Sequence, residues 1–511
     1  MRRTIPQLVD DAARDHGARP WLLSDDSSYS FAEARDAADV VAEGLAGRGV
    51  TKGDVVLLVA HNTPKHVLAW LGILRTGAIA LPVNPRSTVA ELVGFLDQVA
   101  PAVVVCDPGI DGVLDEALGR AQAAPMLAPL DALLDAVSGR TYEPPALDPY
   151  DPAVLIPTSG TTGRSKLVTQ THQGYVLAAE GFPFWLGLTA DDRLLTALPI
   201  FHINAPAYSL LGSMAVGASV VVLPRYSPSG FLEAARRHGA TECNMIGAML
   251  EMLMRQPERA DDAATPLRLC YTGPSPTRER QLEIEARFGL EIVCGYALSE
   301  STYGTVWPRG ERPYGTLGVA RQHPTLGHIN DARVMADGAE VAIGDVGELE
   351  LRNPAIMRGY YEMPDETAEV LVDGWLRTGD LVERGGDGTF TFVARKKEVI
   401  RRRGENLAPG EVEDALVAHP GIVDAAVIAV PADLGEDDVK AFLVVGDGAA
   451  LEPGELRAFL LERIAGYKVP RFIEVVDGDL PRTPTGRVAK HRLPIDRTVH
   501  EIDLEQSQEA R

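Results

Sequence analysis

The sequence predicts an α/β fold, with a large N-terminal domain of layered α/β subdomains and a small C-terminal α+β domain. Three observations carry that expectation. The chain has 511 residues, too many for one ordinary domain, and 45% are hydrophobic, ample for packed cores. Apolar runs of strand length alternate with helix-like stretches over most of the length, as in largely parallel sheets covered by helices. After about Phe392 the texture changes, and a segment crowded with cations interrupts an otherwise acidic chain.

In chain order the strand-like runs are DVVLLVA (54–60), AIALPVN (78–84), AVVVCD (102–107), AVLIPT (153–158), RLLTALPI (193–200) and ASVVVLP (218–224). After the last of these, SPSGFLEAARRHG reads as a helix with Ser227 as N-cap, Pro228 in the first turn and Gly239 as the stop. RKKEVIRRRG (395–404) then places six cations in ten residues. Beyond it come helix-like PGEVEDALVAHP, strand-like DAAVIAV and KAFLVV, helix-like PGELRAFLLERI and strand-like RFIEVV. About a hundred residues of this kind suit a small α+β domain. The expected domains are therefore 1–396, 397–497 and a polar tail, 498–511, with no repeat and no low-complexity segment.

The net charge of −23 and the sequence pI near 4.9 give no field that would draw the protein onto nucleic acid or an anionic membrane. No apolar stretch approaches the roughly 20 residues of a membrane span. The start, MRRTIPQLVDDAARD, has two arginines but no apolar run behind them, so no secretory signal is expected. Cys106, Cys243, Cys270 and Cys294 are scattered without metal-ligand or redox spacing, and a reduced, cytoplasmic protein is expected. Oligomeric state is not legible.

The segment TSGTTGRSK (Thr158–Lys166) follows a strand-like run. It is not a Walker loop, because two residues separate its glycines and no Gly-Lys-Ser/Thr closes it. Hydroxyls, backbone N–H groups freed by glycine and a terminal cation still make a good polyphosphate cradle; composition alone fits a solvated turn as well.

The loop resembles the phosphate-binding loop of the adenylate-forming superfamily, which includes acyl-CoA synthetases, nonribosomal adenylation domains and luciferases; free-standing acid–CoA ligases are the most similar type. Further motifs of that superfamily follow in order: LPIFH (198–202), YTGPSP (271–276), GYALSE (295–300), DGWLRTGD (373–380), RKKEVIRRRGENLAPGEVE (395–413) and PRTPTGRVAK (481–490). The N-terminal GVTKGDVVLLVAHNTPKHVLAWLGILRTGAIALPVNP is also similar, so the resemblance spans nearly the whole chain. This sequence departs from the pattern at Ser165 for proline, Ala297 for glycine, Ser299 for threonine and Arg487 for lysine.

In that superfamily an oxyanion, normally a carboxylate, attacks the α-phosphorus of ATP and expels pyrophosphate. The reaction needs held phosphates, neutralised charge and an in-line nucleotide. The resemblance implies that Thr158, Ser159 and Lys166 hold the tail phosphates, within a loop that also contains Gly160, Thr161, Thr162 and Gly163. Gly273, Pro274, Ser275 and Tyr296 join the nucleotide set. Ser299 would bond the α-phosphate, Glu300 would hold Mg²⁺, and Asp380 would accept the ribose hydroxyls with help from Arg395. Arg487 would stabilise charge during adenylation, with Lys490 as an alternative cation. The small domain would then turn about Lys397 and present the Gly404 loop for attack by CoA. His202 is expected as a gate beside an acyl pocket that includes Asn204 and Asn244, and Arg401–Arg403 as an anion site for CoA phosphates. Trp375 is expected in the core. The expected activity is that of an ATP-dependent carboxylic acid–CoA ligase. The rivals are a nitrite-activating diazotase acting on an aryl amine and a non-catalytic nucleotide-binding homologue. The acid itself is not legible.

Overall fold

The computed structural model describes residues 3–135, 142–158, 165–273, 275–402, 405–431, 437–446, 451–483, 487–496, 498 and 500–504. These fall into two compact units. One comprises Met1–Arg333 and Glu350–Arg377, the other Val334–Leu349 and Thr378–Arg511. All three crossings lie inside strands: Asp331–Ala336, Val346–Arg352 and Trp375–Arg384.

The larger unit contains two extended sheets. In the seven-stranded sheet, Val55–Val59 lies between Ile79–Val83 and Val103–Cys106, parallel to both. Ile79–Val83 is also parallel to Pro152–Thr158. The latter turns back through an antiparallel pairing with Lys166–Thr171, in which Thr158 stands opposite Lys166. Gly359–Tyr360 closes that edge, with Tyr360 opposite Val168. In the nine-stranded sheet Leu269–Thr272 is parallel to Glu242–Asn244 and to Glu291–Leu298. Glu242–Asn244 is in turn parallel to Arg193–Thr196. These strands are buried on both faces, which is why they read as unbroken apolar runs rather than as an alternation. One apolar core takes Val56, Val105 and Val154 from the first sheet and Leu194, Leu269 and Tyr271 from the second. All four cysteines are buried and outside any disulfide, and Cys243 and Cys270 are register partners on neighbouring strands.

The expected helix after residue 227 is shorter than its sequence suggests. It spans Phe231–His238, and Ser227 does not cap it. The Gly230 N–H closes a turn onto the Ser227 carbonyl at 3.1 Å, so Pro228 and Ser229 are used before the helix begins. Gly239 does end it, at φ +64°, a conformation that favours glycine.

The smaller unit holds a four-stranded sheet in the order Ile422–Pro431, Asp437–Val445, Phe472–Val475, Glu501–Asp503. The second and third strands are parallel, and the other pairings are antiparallel. Helices Pro409–Val417 and Pro453–Leu461 pack Val412, Leu416, Leu456 and Leu460 onto it, completing the expected α+β pattern.

Candidate active site

In sheets of parallel strands, ligands bind beyond the carboxyl ends of the strands. In the larger unit those ends carry most of the expected residues. Thr158 ends one strand, and its Oγ1 donates to the Lys166 carbonyl at 3.1 Å. Ser159, Gly160, Thr161, Thr162 and Gly163 lie outside the described residues, as does Pro274.

Lys166 and Glu300 meet through a residue that the motifs did not single out. The Lys166 ammonium lies 4.6 Å from the centroid of the Tyr360 ring, and the Tyr360 hydroxyl donates to Glu300 Oε1 at 2.9 Å. Burial, and then the Glu300 charge, push the Tyr360 phenol well above its ordinary pKa, so it stays a donor at neutral pH. The backbone that carries Ser299 and Glu300 is fixed from the same side. Buried Gln170 donates to the Ser299 carbonyl at 2.8 Å, and the Met357 N–H donates to the Glu300 carbonyl at 2.7 Å.

Gly273 follows one strand end and faces another. A Cβ there would stand 2.4 Å from the Gly295 carbonyl oxygen, so only glycine lets the two backbones approach. Tyr296 sits on the neighbouring strand opposite Thr305. Ser275 Oγ donates to the Pro276 carbonyl at 3.3 Å.

His202 is half-buried, its ring 4.6 Å from that of Phe201. The loop leading to it is clamped by Asn62, which gives its amide N–H to the Leu198 carbonyl at 2.8 Å and accepts from the Ile200 N–H at 2.9 Å. A π-helical turn, Ala205–Leu210, follows directly; such turns are frequent at functional sites. The structure brings the two expected asparagines together. Asn244 Nδ2 donates to Asn204 Oδ1 at 2.6 Å. Asn244 is 1% exposed, and its Oδ1 has no partner among the described residues.

The smaller unit carries its own set. Asp380 is buried and pairs with Arg395, its register partner across an antiparallel pair of strands, at 2.7 Å. Lys397 is exposed in a turn closed by the Glu398 N–H on the Arg395 carbonyl. Gly404 lies outside the described residues. Arg487 is exposed, with its carbonyl accepting from the Thr483 N–H at 2.7 Å. Lys490 is ion-paired with Glu413 at 2.7 Å and Glu398 at 3.5 Å.

Two expectations are corrected. Arg402 does not offer its charge to a ligand: it is buried, pairs with Asp438 at 2.8 Å and donates to the Tyr467 and Val469 carbonyls. A buried guanidinium needs such partners, and here they make it a strut of the small unit. Trp375 is not in a core; it lies half-buried between the guanidiniums of Arg333 and Arg352, at 4.0 and 4.5 Å.

Among the described residues no three His, Cys, Asp or Glu side chains converge as a metal cage, and no helix is long and apolar enough to cross a membrane. A lone carboxylate such as Glu300 fits Mg²⁺ all the same, because that ion takes most of its ligands from substrate phosphates and water.

Residues 9–361 match the family described as AMP-binding enzyme, and residues 411–487 match its C-terminal domain. The chain belongs to the AMP-binding enzyme family. It is 31% identical to a sulfoacetate–CoA ligase of Cupriavidus necator over 96% of this chain and 97% of that one. It is 30% identical to a crotonobetaine/carnitine–CoA ligase of Escherichia coli, over 96% and 98% of the two chains. The o-succinylbenzoate CoA synthetase of Bacillus subtilis, solved with its acyl-adenylate intermediate, superposes with a TM-score of 0.86 at 26% identity, over 97% of this chain and 99% of that one. These relatives and neighbours are acid–CoA ligases, and the nitrite-activating and non-catalytic readings find no support among them.

Proposed function

We infer that the chain is an ATP-dependent acid–CoA ligase working in two steps. A carboxylate oxygen of the acid attacks the α-phosphorus of ATP, forming an acyl-adenylate and releasing pyrophosphate. The sulfur of CoA then attacks the acyl carbon, and AMP leaves. The observation that carries this reading is the Lys166–Tyr360–Glu300 assembly at the carboxyl ends of the strands, a cation and a carboxylate held in reach of one nucleotide tail.

Within that reading, Thr158 and Lys166 bind the β- and γ-phosphates together with the rest of their loop. Ser299 bonds the α-phosphate, while Gly273, Ser275 and Tyr296 frame the base. A Mg²⁺ ion held by Glu300 and the phosphates supplies neutralising charge when bound. Asp380 is well suited to the ribose, since a carboxylate oriented by its pairing with Arg395 can accept two hydroxyls. Arg487 offsets charge as adenylation proceeds. We place the domain boundary at 396/397, with Lys397 as the hinge and Gly404 on the loop presented for thiol attack, and the enzyme in the cytoplasm. His202, Asn204 and Asn244 line the acid's site. The relatives leave the acid open, since sulfoacetate carries an anionic tail and crotonobetaine a cationic one.

The test is a screen of fatty, aryl, amino and short polar acids, and of nitrite with an aryl amine, for AMP release with and without CoA. Acid-dependent AMP release that CoA accelerates is expected. Release only with nitrite and an amine would overturn the reading, as would no release with any substrate.

A further inference from the structure

Behind the strand ends that carry Asn244, Tyr271 and Gly295 lies a buried cation that the reaction does not account for. Arg321 is 1% exposed, and among the described residues its guanidinium bonds only to neutral oxygens. Nε donates to the Thr305 carbonyl at 3.0 Å, and one terminal nitrogen donates to the Tyr208 hydroxyl at 2.6 Å and the Thr302 carbonyl at 3.1 Å. The other donates to the Tyr271 hydroxyl. The Trp185 ring covers the guanidinium at 4.4 Å. Among the described residues no carboxylate pairs with Arg321, so its charge is caged but not neutralised. Buried charges are normally paired, and one left unpaired raises the question of what it attracts.

Its position relative to the acid's site answers that. Asn244 and Tyr271 are register partners on parallel strands, so their side chains lie side by side on one face. At Gly295 a Cβ would stand 2.5 Å from the Tyr271 hydroxyl and 3.0 Å from the Arg321 guanidinium. The tyrosine–arginine pair therefore occupies the place of a side chain at 295, on the edge where substrate binds. The Tyr208 hydroxyl passes its hydrogen to Thr302, whereas that of Tyr271 has no acceptor among the described residues. The asparagine pair can add a donor. Turning over both amides keeps the bond between them and satisfies Asn244 Oδ1, and Asn244 Nδ2 then becomes the amide atom without a partner among the described residues.

We propose that Arg321, acting through the Tyr271 hydroxyl beneath Gly295, selects acids whose tail carries a second oxyanion, a carboxylate or a sulfonate. The proposal rests on the reading of the chain as an acid–CoA ligase with Asn204 and Asn244 in the acid's site. Arg321 is a positioning residue that polarises the tyrosine; Tyr271 touches the tail. A cationic tail meets the uncompensated guanidinium and is disfavoured.

The experiment compares acids of matched length: propanoate with malonate, butanoate with succinate, propanoate with sulfoacetate, and glycine betaine as the cationic arm. AMP release is measured for each, and binding is followed by calorimetry in the wild type, Tyr271→Phe and Arg321→Met. At least one dianion should exceed its monoanionic counterpart tenfold or more in kcat/KM, a difference of about 1.4 kcal/mol. Glycine betaine should fall below both. Tyr271→Phe keeps the ring and its packing, so it decides the matter even when Arg321→Met fails to fold; it should cut the preference to threefold or less. Dianion binding that is lost in Tyr271→Phe, without AMP release from any acid, would sink the ligase reading and leave the subsite standing. Equal use of monoanions and dianions, a preference unchanged in Tyr271→Phe, or no binding of any anion would overturn the subsite.

Discussion

Tyr360 holds Glu300 by a 2.9 Å hydrogen bond while its ring carries the ammonium of Lys166. Tyr360→Phe separates these two tasks, because the ring remains and the donor goes. A hydrogen bond to a charged group contributes about 1.5–3 kcal/mol when buried, and this one is half-exposed. The expected loss in kcat/KM for ATP is about threefold to tenfold, with a higher Mg²⁺ requirement, by the same free-energy conversion. Kinetics at several Mg²⁺ concentrations check it; an unchanged Mg²⁺ dependence would count against a role for Tyr360 in holding the carboxylate.

Lys166→Ala removes the cation itself. Its expected effect is a loss of roughly tenfold or more in kcat/KM for ATP, about 1.4 kcal/mol, with circular dichroism and melting unchanged. Wild-type ATP kinetics would take Lys166 out of the site.

Arg487→Ala should slow adenylate formation by roughly a hundredfold or more, as expected for one preorganised charge-stabilising group. Transfer from a preformed adenylate to CoA should survive, and Arg487→Lys should recover part of the first step. Lys490→Ala is expected to cost stability rather than adenylation, since Lys490 is already bound to Glu413 and Glu398. Measuring the two half-reactions separately decides between them, and a damaged first step in Lys490→Ala would move the catalytic cation there.

Lys397, exposed in its turn, should be cut by limited proteolysis in the free enzyme and protected when ATP and acid are bound. Lys397→Pro should hinder thioester formation more than adenylation. A cutting rate that ignores both ligands would remove the support for a hinge at this position.

Glu242 offers a test of pH dependence. It is wholly buried, neither of its oxygens has a partner among the described residues, and burial holds its pKa well above the ordinary value. The native state therefore keeps a proton that the unfolded chain releases above about pH 4.5, so this residue costs stability increasingly as pH rises. Glu242→Met should raise the melting temperature at pH 8, and the gain should shrink towards pH 5. A gain independent of pH would mean that the carboxyl is not neutral in the fold.

The strands of both large sheets were legible because burial on two faces writes itself as a continuous apolar run. Asp380 and Lys166 could be proposed from the sequence because each lies within a local motif. Asn62, Gln170, Tyr360 and Arg321 were not, because their meaning depends on partners far along the chain. Asn62 clamps Ile200 across 138 residues, and Gln170 reaches Ser299 across 129. Ser227 misled for the opposite reason, since a good cap residue three positions before a glycine spent its geometry on a turn. Arg402, placed in a run of cations, reads as part of an anion site until Asp438 is seen beside it.

The four buried thiols give the enzyme a built-in clock for its own opening. Cys106 reports on one sheet of the larger unit, and Cys243, Cys270 and Cys294 report on three adjacent strands of the other. A thiol-reactive dye can label them only when the strand bearing each one is released. Mass spectrometry of the labelled positions would then time the loosening of each sheet, with no introduced probe, and would show which of them ATP and the acid hold shut.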